Sequence, residues 1–203
     1  MPFFELPRQQ ASPEQAATRR KRQDNTAQRP SLVVPRYLPT DLVLAVNDER
    51  AVVIHGIACY PNGFAFQLEA VSPFEYERDG QPVFEPSPLS LFQHHGRFSL
   101  EDIPDSELRF GIEYSNGGRI TTLDLASGFY GKDPESDAPR MLSPGGSGGA
   151  GSWRHELWVW PLPPEGPVTF ACEWPAYGIP ETKKKLDGER FRAAAAQARP
   201  LFT

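Results

Sequence analysis

Residues 59–71 read Cys59-Tyr60-Pro61-Asn62-Gly63-Phe64-Ala65-Phe66-Gln67-Leu68-Glu69-Ala70-Val71. From Phe64 onward the chain alternates. Phe64, Phe66, Leu68 and Ala70 point one way, while Gln67 and Glu69 point the other. A period of two sends one face into a core and the other into water, which marks a half-buried antiparallel strand. Asn62-Gly63 stands just before it. That pair is a strong hairpin signal, because the tight turns that match strand twist need positive φ at their central residues. The apolar run 51–60 on the other side of the turn supplies the preceding strand.

The same reading extends outward in both directions. Residues 42–46 form a short β-branched run ended by Asn47-Asp48. Residues 107–114 put Leu108, Phe110, Ile112 and Tyr114 on one face and Arg109 and Glu113 on the other; Asn116-Gly117-Gly118 then turns the chain back through residues 119–123. Residues 153–160 are a Trp-rich strand. Residues 161–166 turn, and residues 168–174 are expected to pair back with that strand, with Val168, Phe170, Cys172 and Trp174 aligned. Residues 181–186 read as an edge strand whose Lys183-Lys184-Lys185 discourages pairing with another chain. One helix is expected, over residues 189–198: Asp187 caps its free amides, Ala193–Ala196 favour it, and Pro200 stops it. Phe191 and Ala195, four apart, give it one face to dock.

Two stretches break the rhythm. Residues 72–105 are punctuated by Pro73, Pro82, Pro86, Pro88 and Pro104 and read as an insertion or irregular crossover. Residues 124–152 read as a long loop ending in the Gly-rich stretch 145–151. The expected architecture is all-β. Residues 1–35 form a disordered basic tail, and residues 36–203 form an antiparallel immunoglobulin-like β-sandwich with a C-terminal helix docked on it.

Composition agrees. The 203 residues include 22 prolines, against a usual share of about 5%. Proline removes a backbone donor and clashes inside helices, so this density argues against a helical bundle. The longest apolar stretches, residues 42–46 and 51–54, fall far short of the about 18 residues of a membrane span. Met1-Pro2-Phe3-Phe4-Glu5 lacks the basic and apolar regions of a secretory signal. Cys59 and Cys172 are too few for a disulfide framework, so both are expected reduced and buried, in a cytoplasmic protein. Residues 1–30 carry a net +3, which leaves −8 for residues 31–203 out of the chain's −5. An acidic body repels phosphates, so the core is expected to bind no nucleic acid. The run Arg19-Arg20-Lys21-Arg22 is read as a solvated basic tail, with anchoring to an anionic surface as a weaker alternative.

Several patterns imitate catalytic motifs. Gly146-Ser147-Gly148-Gly149-Ala150-Gly151 matches G-x-G-x-x-G. A dinucleotide site needs a strand before that run and a helix after it, to hold the pyrophosphate at the helix N-terminus. Here Pro144 precedes and a strand follows, so no nucleotide or other cofactor is expected. Residues 145–149 also match G-x-S-x-G, but a nucleophile elbow at Ser147 requires a parallel α/β sheet, and this chain has no such alternation. His94-His95 would ligate a metal with Glu101 or Asp102 only on an irregular loop, since neighbours on a strand face opposite ways. His55 and His155, each in an apolar run, read as hydrogen-bonded interior residues. Glu69, Glu113 and Glu173 fall on polar strand phases and read as outer-face carboxylates, with an acid/base set as the sharper alternative.

Trp153-Arg154-His155-Glu156-Leu157-Trp158-Val159-Trp160 is the most unusual segment. Trp158 and Trp160 share a face with Arg154 and Glu156. Such tryptophans are either covered by another element or form an aromatic contact patch of the kind found at binding hot spots.

The order of residues 56–66, 108–123 and 145–151, then Trp158-Val159-Trp160-Pro161-Leu162-Pro163, Phe170-Ala171-Cys172-Glu173-Trp174-Pro175 and Gly178-Ile179-Pro180-Glu181-Thr182, resembles a family of uncharacterised bacterial proteins. The likeness spans residues 41–200. That family has no established activity, so the resemblance implies a bacterial cytoplasmic protein and assigns no site residues. The functional expectation is a non-catalytic binding or protein-interaction module. Its contacts come from Trp158, Trp160, Gly146 and Gly148, its partner is another protein, and residues 145–152 are mobile until bound. The alternative is a metal-assisted hydrolase using His94, His95 and a nearby carboxylate.

Overall fold

The computed structural model describes residues 27–74, 76–78, 81–83, 86–92, 100–126, 139–149 and 151–202. Its strands in chain order are β1 (Val33–Val34), β2 (Arg36–Tyr37), β3 (Leu42–Val46), β4 (Ala51–Cys59), β5 (Phe64–Val71), β6 (Tyr76–Arg78), β7 (Gln81–Val83), β8 (Arg109–Glu113), β9 (Arg119–Thr121), β10 (Arg140–Gly149), β11 (Ser152–Trp160), β12 (Pro167–Trp174), β13 (Ile179–Asp187) and β14 (Arg199–Pro200). The helices are α1 (Thr122–Ala126) and α2 (Gly188–Ala195). Every strand pair among the described residues is antiparallel.

Two sheets carry the fold. The larger runs β10-β11-β5-β4-β2, with β3 also on β4, and the smaller runs β13-β12-β8-β9. The Asn62-Gly63 and Asn116-Gly117 turns join β4 to β5 and β8 to β9, as the sequence predicts. The alternating apolar residues of both sheets meet in one core. Phe66 of β5 lies 5.9 Å from both Phe110 of β8 and Phe170 of β12, centroid to centroid. Aromatic pairs at this spacing contribute about 0.5–1.5 kcal/mol each beyond their area burial. The predicted helix is α2: Asp187 accepts from the Glu189 amide at 2.9 Å, and Phe191 sets its ring 4.9 Å from Phe64. Cys59 and Cys172 are free and buried, and burial pushes both thiols up to about 12.

Four findings depart from the sequence reading. First, β12 does not pair with β11. Residues 161–166 carry the chain from the larger sheet to the smaller one, and the Tyr114 hydroxyl fixes that passage by donating to the Pro161 carbonyl at 2.6 Å. Pro161, Pro163 and Pro164 suit such a rigid crossing better than a tight hairpin. Second, the Gly-rich stretch is a strand. Gly145 through Gly149 pair with Glu156 through Ser152. A Cβ at Gly148 would stand 2.6 Å from Trp153 Cδ1, and one at Gly146 would strike the His155 ring. These positions let β10 lie against large side chains of β11, a close approach that only glycine permits. Third, His55 is not interior. The register of β4 against β5 slips between His55 and Ala58, at Gly56 (φ 58°), so the inward phase passes from Val52 and Ile54 to Ile57 and Cys59. Fourth, residues 33–34, assigned by the sequence to the tail, pair as β1 with β14.

The insertion contains the β6–β7 hairpin. His94 and His95, and the tail through residue 26 with its basic run, lie outside the described residues. No helix among the described residues is long and apolar enough to cross a membrane.

Candidate functional site

The site is built on β11. Trp153, His155, Leu157 and Val159 turn inward, and Arg154, Glu156, Trp158 and Trp160 turn outward, as the period of two requires. Trp158 is nonetheless only 3% exposed. Two things bury it. Gly63 of the β4–β5 turn leaves its indole room, since a Cβ there would sit 2.6 Å from Trp158 Cη2, and Tyr60 packs edge-on at 5.6 Å. The segment before β1 then lies across it. The Trp158 indole N–H donates to the Ala27 carbonyl at 3.0 Å, and Asn62 donates to the Gln28 carbonyl at 2.9 Å. Arg29 donates to the Tyr60 hydroxyl at 2.8 Å and pairs with Glu156. Burial opposes the Arg29 charge, but the hydrogen bonds to Glu156 and Tyr60 outweigh it and raise its pKa. Burial likewise raises the Tyr60 phenol, with Arg29 pulling the other way.

Beside this covered tryptophan lies a cavity of about 210 Å³. It sits at the seam where β10, an edge of the larger sheet, meets β9 and α1 at the edge of the smaller one. Ile120, Leu125 and Met141 supply its inner wall, and Leu142, Trp158 and Trp160 its outer wall. Ala27 closes one side, and Arg140 holds its guanidinium 5.2 Å from the Trp160 ring centroid. Leu142 is the register partner of Trp158, so it shares that outward face and stands 45% exposed at the cavity. Apolar walls with a single cation suit an apolar anchor carrying or flanked by an anion.

A second cluster occupies the same outer face farther along. Glu69 is buried and accepts from Ser152 at 2.6 Å, from Arg154 at 2.8 Å and from His55 Nε2 at 2.9 Å; Asp41 lies 3.7 Å from His55 Nδ1. Burial alone would raise the Glu69 pKa, but hydrogen bonds from Arg154 and Ser152, with the charges of Arg154 and His55, lower it. Within this cluster Ser152 donates to Glu69, and His55 turns its Nε2 to the same carboxylate. The cluster clasps β4, β5 and β11 together. Glu113 and Glu173 belong to the other sheet, where Glu173 pairs with Arg109 at 2.9 Å, so the three glutamates do not converge. His155 is interior as expected, within 3.0 Å of Ser143 Oγ and stacked on Phe92 at 5.3 Å, and burial lowers its pKa. Among the described residues no group of three or more His, Cys, Asp or Glu is placed to hold a metal ion.

Of the four residues singled out from sequence, Trp158 and Trp160 share the cavity wall. Gly146 and Gly148 lie on the opposite, inward side of β10 against His155 and Trp153. Sequence reasoning missed Arg140, Met141, Leu142 and the Arg29 strap. The pair Met141-Leu142, an apolar island between two polar stretches, was the available signal for the cavity; nothing local marked Arg29. No protein-family model, no curated protein and no solved structure matches the chain.

Proposed function

We propose that this chain is a non-catalytic protein-interaction module of the cytoplasm, built on an immunoglobulin-like sandwich, and that the cavity beside Trp158 and Trp160 receives one apolar anchor side chain of its partner. The observation that carries this reading is the cavity itself. At about 210 Å³ it is smaller than the about 300–1,000 Å³ of pockets that hold a drug-sized ligand or cofactor. It is large enough for a leucine-, methionine- or phenylalanine-sized group, and Arg140 suits an acidic residue next to that group. Aromatic and arginine side chains dominate the energetics of protein interfaces. The hairpin-linked strands and the shared core support the sandwich assignment. The resemblance to uncharacterised bacterial proteins supports the cytoplasmic setting, and the −8 charge of residues 31–203 speaks against a nucleic-acid ligand.

The test compares what the full chain retains from its native cell with what Leu142→Asp and Arg140→Glu retain. A partner held by the wild type and lost at least tenfold by both variants, with unchanged unfolding midpoints, supports the proposal. Equal retention by all three sinks it. Metal analysis addresses the hydrolase alternative. Stoichiometric zinc or iron, lost on replacing His94 and His95 by alanine, would replace this reading with that one.

A further inference from the structure

We infer that the chain has a second docking surface, the free edge of β3 with the groove beside it, and that it takes a short extended acidic segment of a protein partner as an added strand. β3 pairs only with β4, and no other described strand hydrogen-bonds to its second edge. Open edges are normally guarded by charge, proline or brevity. β13 carries Lys183-Lys184-Lys185, β10 carries Pro144 and four glycines within residues 145–149, and β9 spans three residues. β3, Leu42-Val43-Leu44-Ala45-Val46, has no charge and no proline, and Val43 and Val46 are 48% and 69% exposed.

A groove of about 400 Å³ runs between β3 and the first half of β13. Asn47 closes one end by donating to the Tyr177 carbonyl at 2.8 Å. An added strand would offer its backbone to β3 and drop alternate side chains into this groove, the usual division of labour in strand addition. The charge inside the groove identifies the occupant. Lys184 is its one charged lining residue, and it forms no hydrogen bond or ion pair among the described residues, whereas neighbouring Lys183 is bound to Glu181 at 2.8 Å. An ammonium with no counter-charge beside an apolar trough fits an apolar segment bearing a carboxylate. A second copy fits less well, because self-pairing of β3 would bring two Lys184-bearing rims together and give neither ammonium a carboxylate. The bulge at Leu44, which turns that side chain into the core, keeps the added strand short.

The experiment uses the isotope-labelled full chain and two capped heptapeptides of alternating valine and threonine, one with a central glutamate and one with a central lysine. The glutamate peptide is expected to shift the amides of residues 42–47 and 178–184, and the lysine peptide to bind at least tenfold more weakly. Lys184→Glu should reverse that preference, and Trp160→Ala should leave it unchanged, which separates this surface from the anchor cavity. The inference is overturned if neither peptide shifts those amides, if Lys184→Glu leaves the preference unchanged, or if the edge instead forms a concentration-dependent dimer abolished by Val46→Lys.

Discussion

At one seam between the sheets, β10 meets β9 over α1; Trp158 and Trp160 wall a small cavity there, and Ala27 partly covers it. At the opposite seam, β3 and β13 leave a longer trough between exposed valines and a solvated lysine. Both seams arise from one cause: two twisted sheets of unequal width cannot cover each other's edges. They differ in what fills the gap. The first is closed by large rings and a strap of the chain, so its residues bear on stability as well as binding. The second is left open, so its exposed residues Val43, Val46 and Lys184 bear on association rather than stability.

That contrast is sharpest in truncation. Trp158→Ala removes a ring that is almost fully buried and should cost about 3–5 kcal/mol, as for buried aromatics elsewhere. Val46→Ala, on the open seam, should stay within about 0.5 kcal/mol. Denaturant unfolding of both variants measures the difference, and equal costs would erase the distinction between the seams.

The backbone of β10 offers the next largest effect. Gly148→Val should destabilise by about 1–3 kcal/mol, because overpacking against Trp153 forces neighbours to move. Gly145→Ala, where an added Cβ meets nothing within 4 Å, should be nearly neutral. A nearly neutral Gly148→Val would restore the reading of this stretch as a flexible loop.

Acid should act on the closed seam's sheet in two stages. Burial holds the His155 imidazole below its ordinary 6.5, so the unfolded chain binds more protons there. Its stability contribution is present above 6.5 and is lost as pH falls through the depressed folded value. Glu69, held below its ordinary 4.5, contributes above that value and loses the contribution at lower pH. Unfolding midpoints measured from pH 8 to pH 3 should fall in those two windows, with the second fall reduced in Glu69→Gln. A midpoint flat over the whole range would contradict both assignments.

The strap gives the smallest effect. Arg29 and Glu156 are 38% and 42% exposed, so their ion pair is screened by solvent and contributes under about 1 kcal/mol. Arg29→Ala should therefore shift Trp158 fluorescence to the red while barely moving the unfolding midpoint. An unchanged spectrum would show that Ala27 stays seated without Arg29.

The sequence reveals the strands wherever period and turn chemistry agree. Asn62-Gly63 with Phe64 to Ala70, Asn116-Gly117 with Leu108 to Tyr114, and Asp187 before α2 all carry their structure locally. It conceals what depends on distant partners. Gly146 and Gly148 have poor strand propensity on their own, and they are strand because His155 and Trp153 need the space. His55 shares the odd phase with Ile57 until Gly56 slips the register. At the site, Trp158 and Trp160 are readable as an outward pair, but the cavity needs Ile120, Leu125 and Met141 from three separate elements, and the strap is joined to Trp158 across 131 residues of chain.

Under the proposed function, the cavity beside Trp158 and Trp160 is where this chain meets its partner. A photo-cross-linker placed at Leu142 in the native cell tests it most directly, with the same group at Glu113 on the outer face of the other sheet as the comparison. One protein should be cross-linked from position 142, absent from position 113, and lost when Arg140→Glu is added. Cross-linking of the same proteins from both positions, or none from position 142, would contradict it.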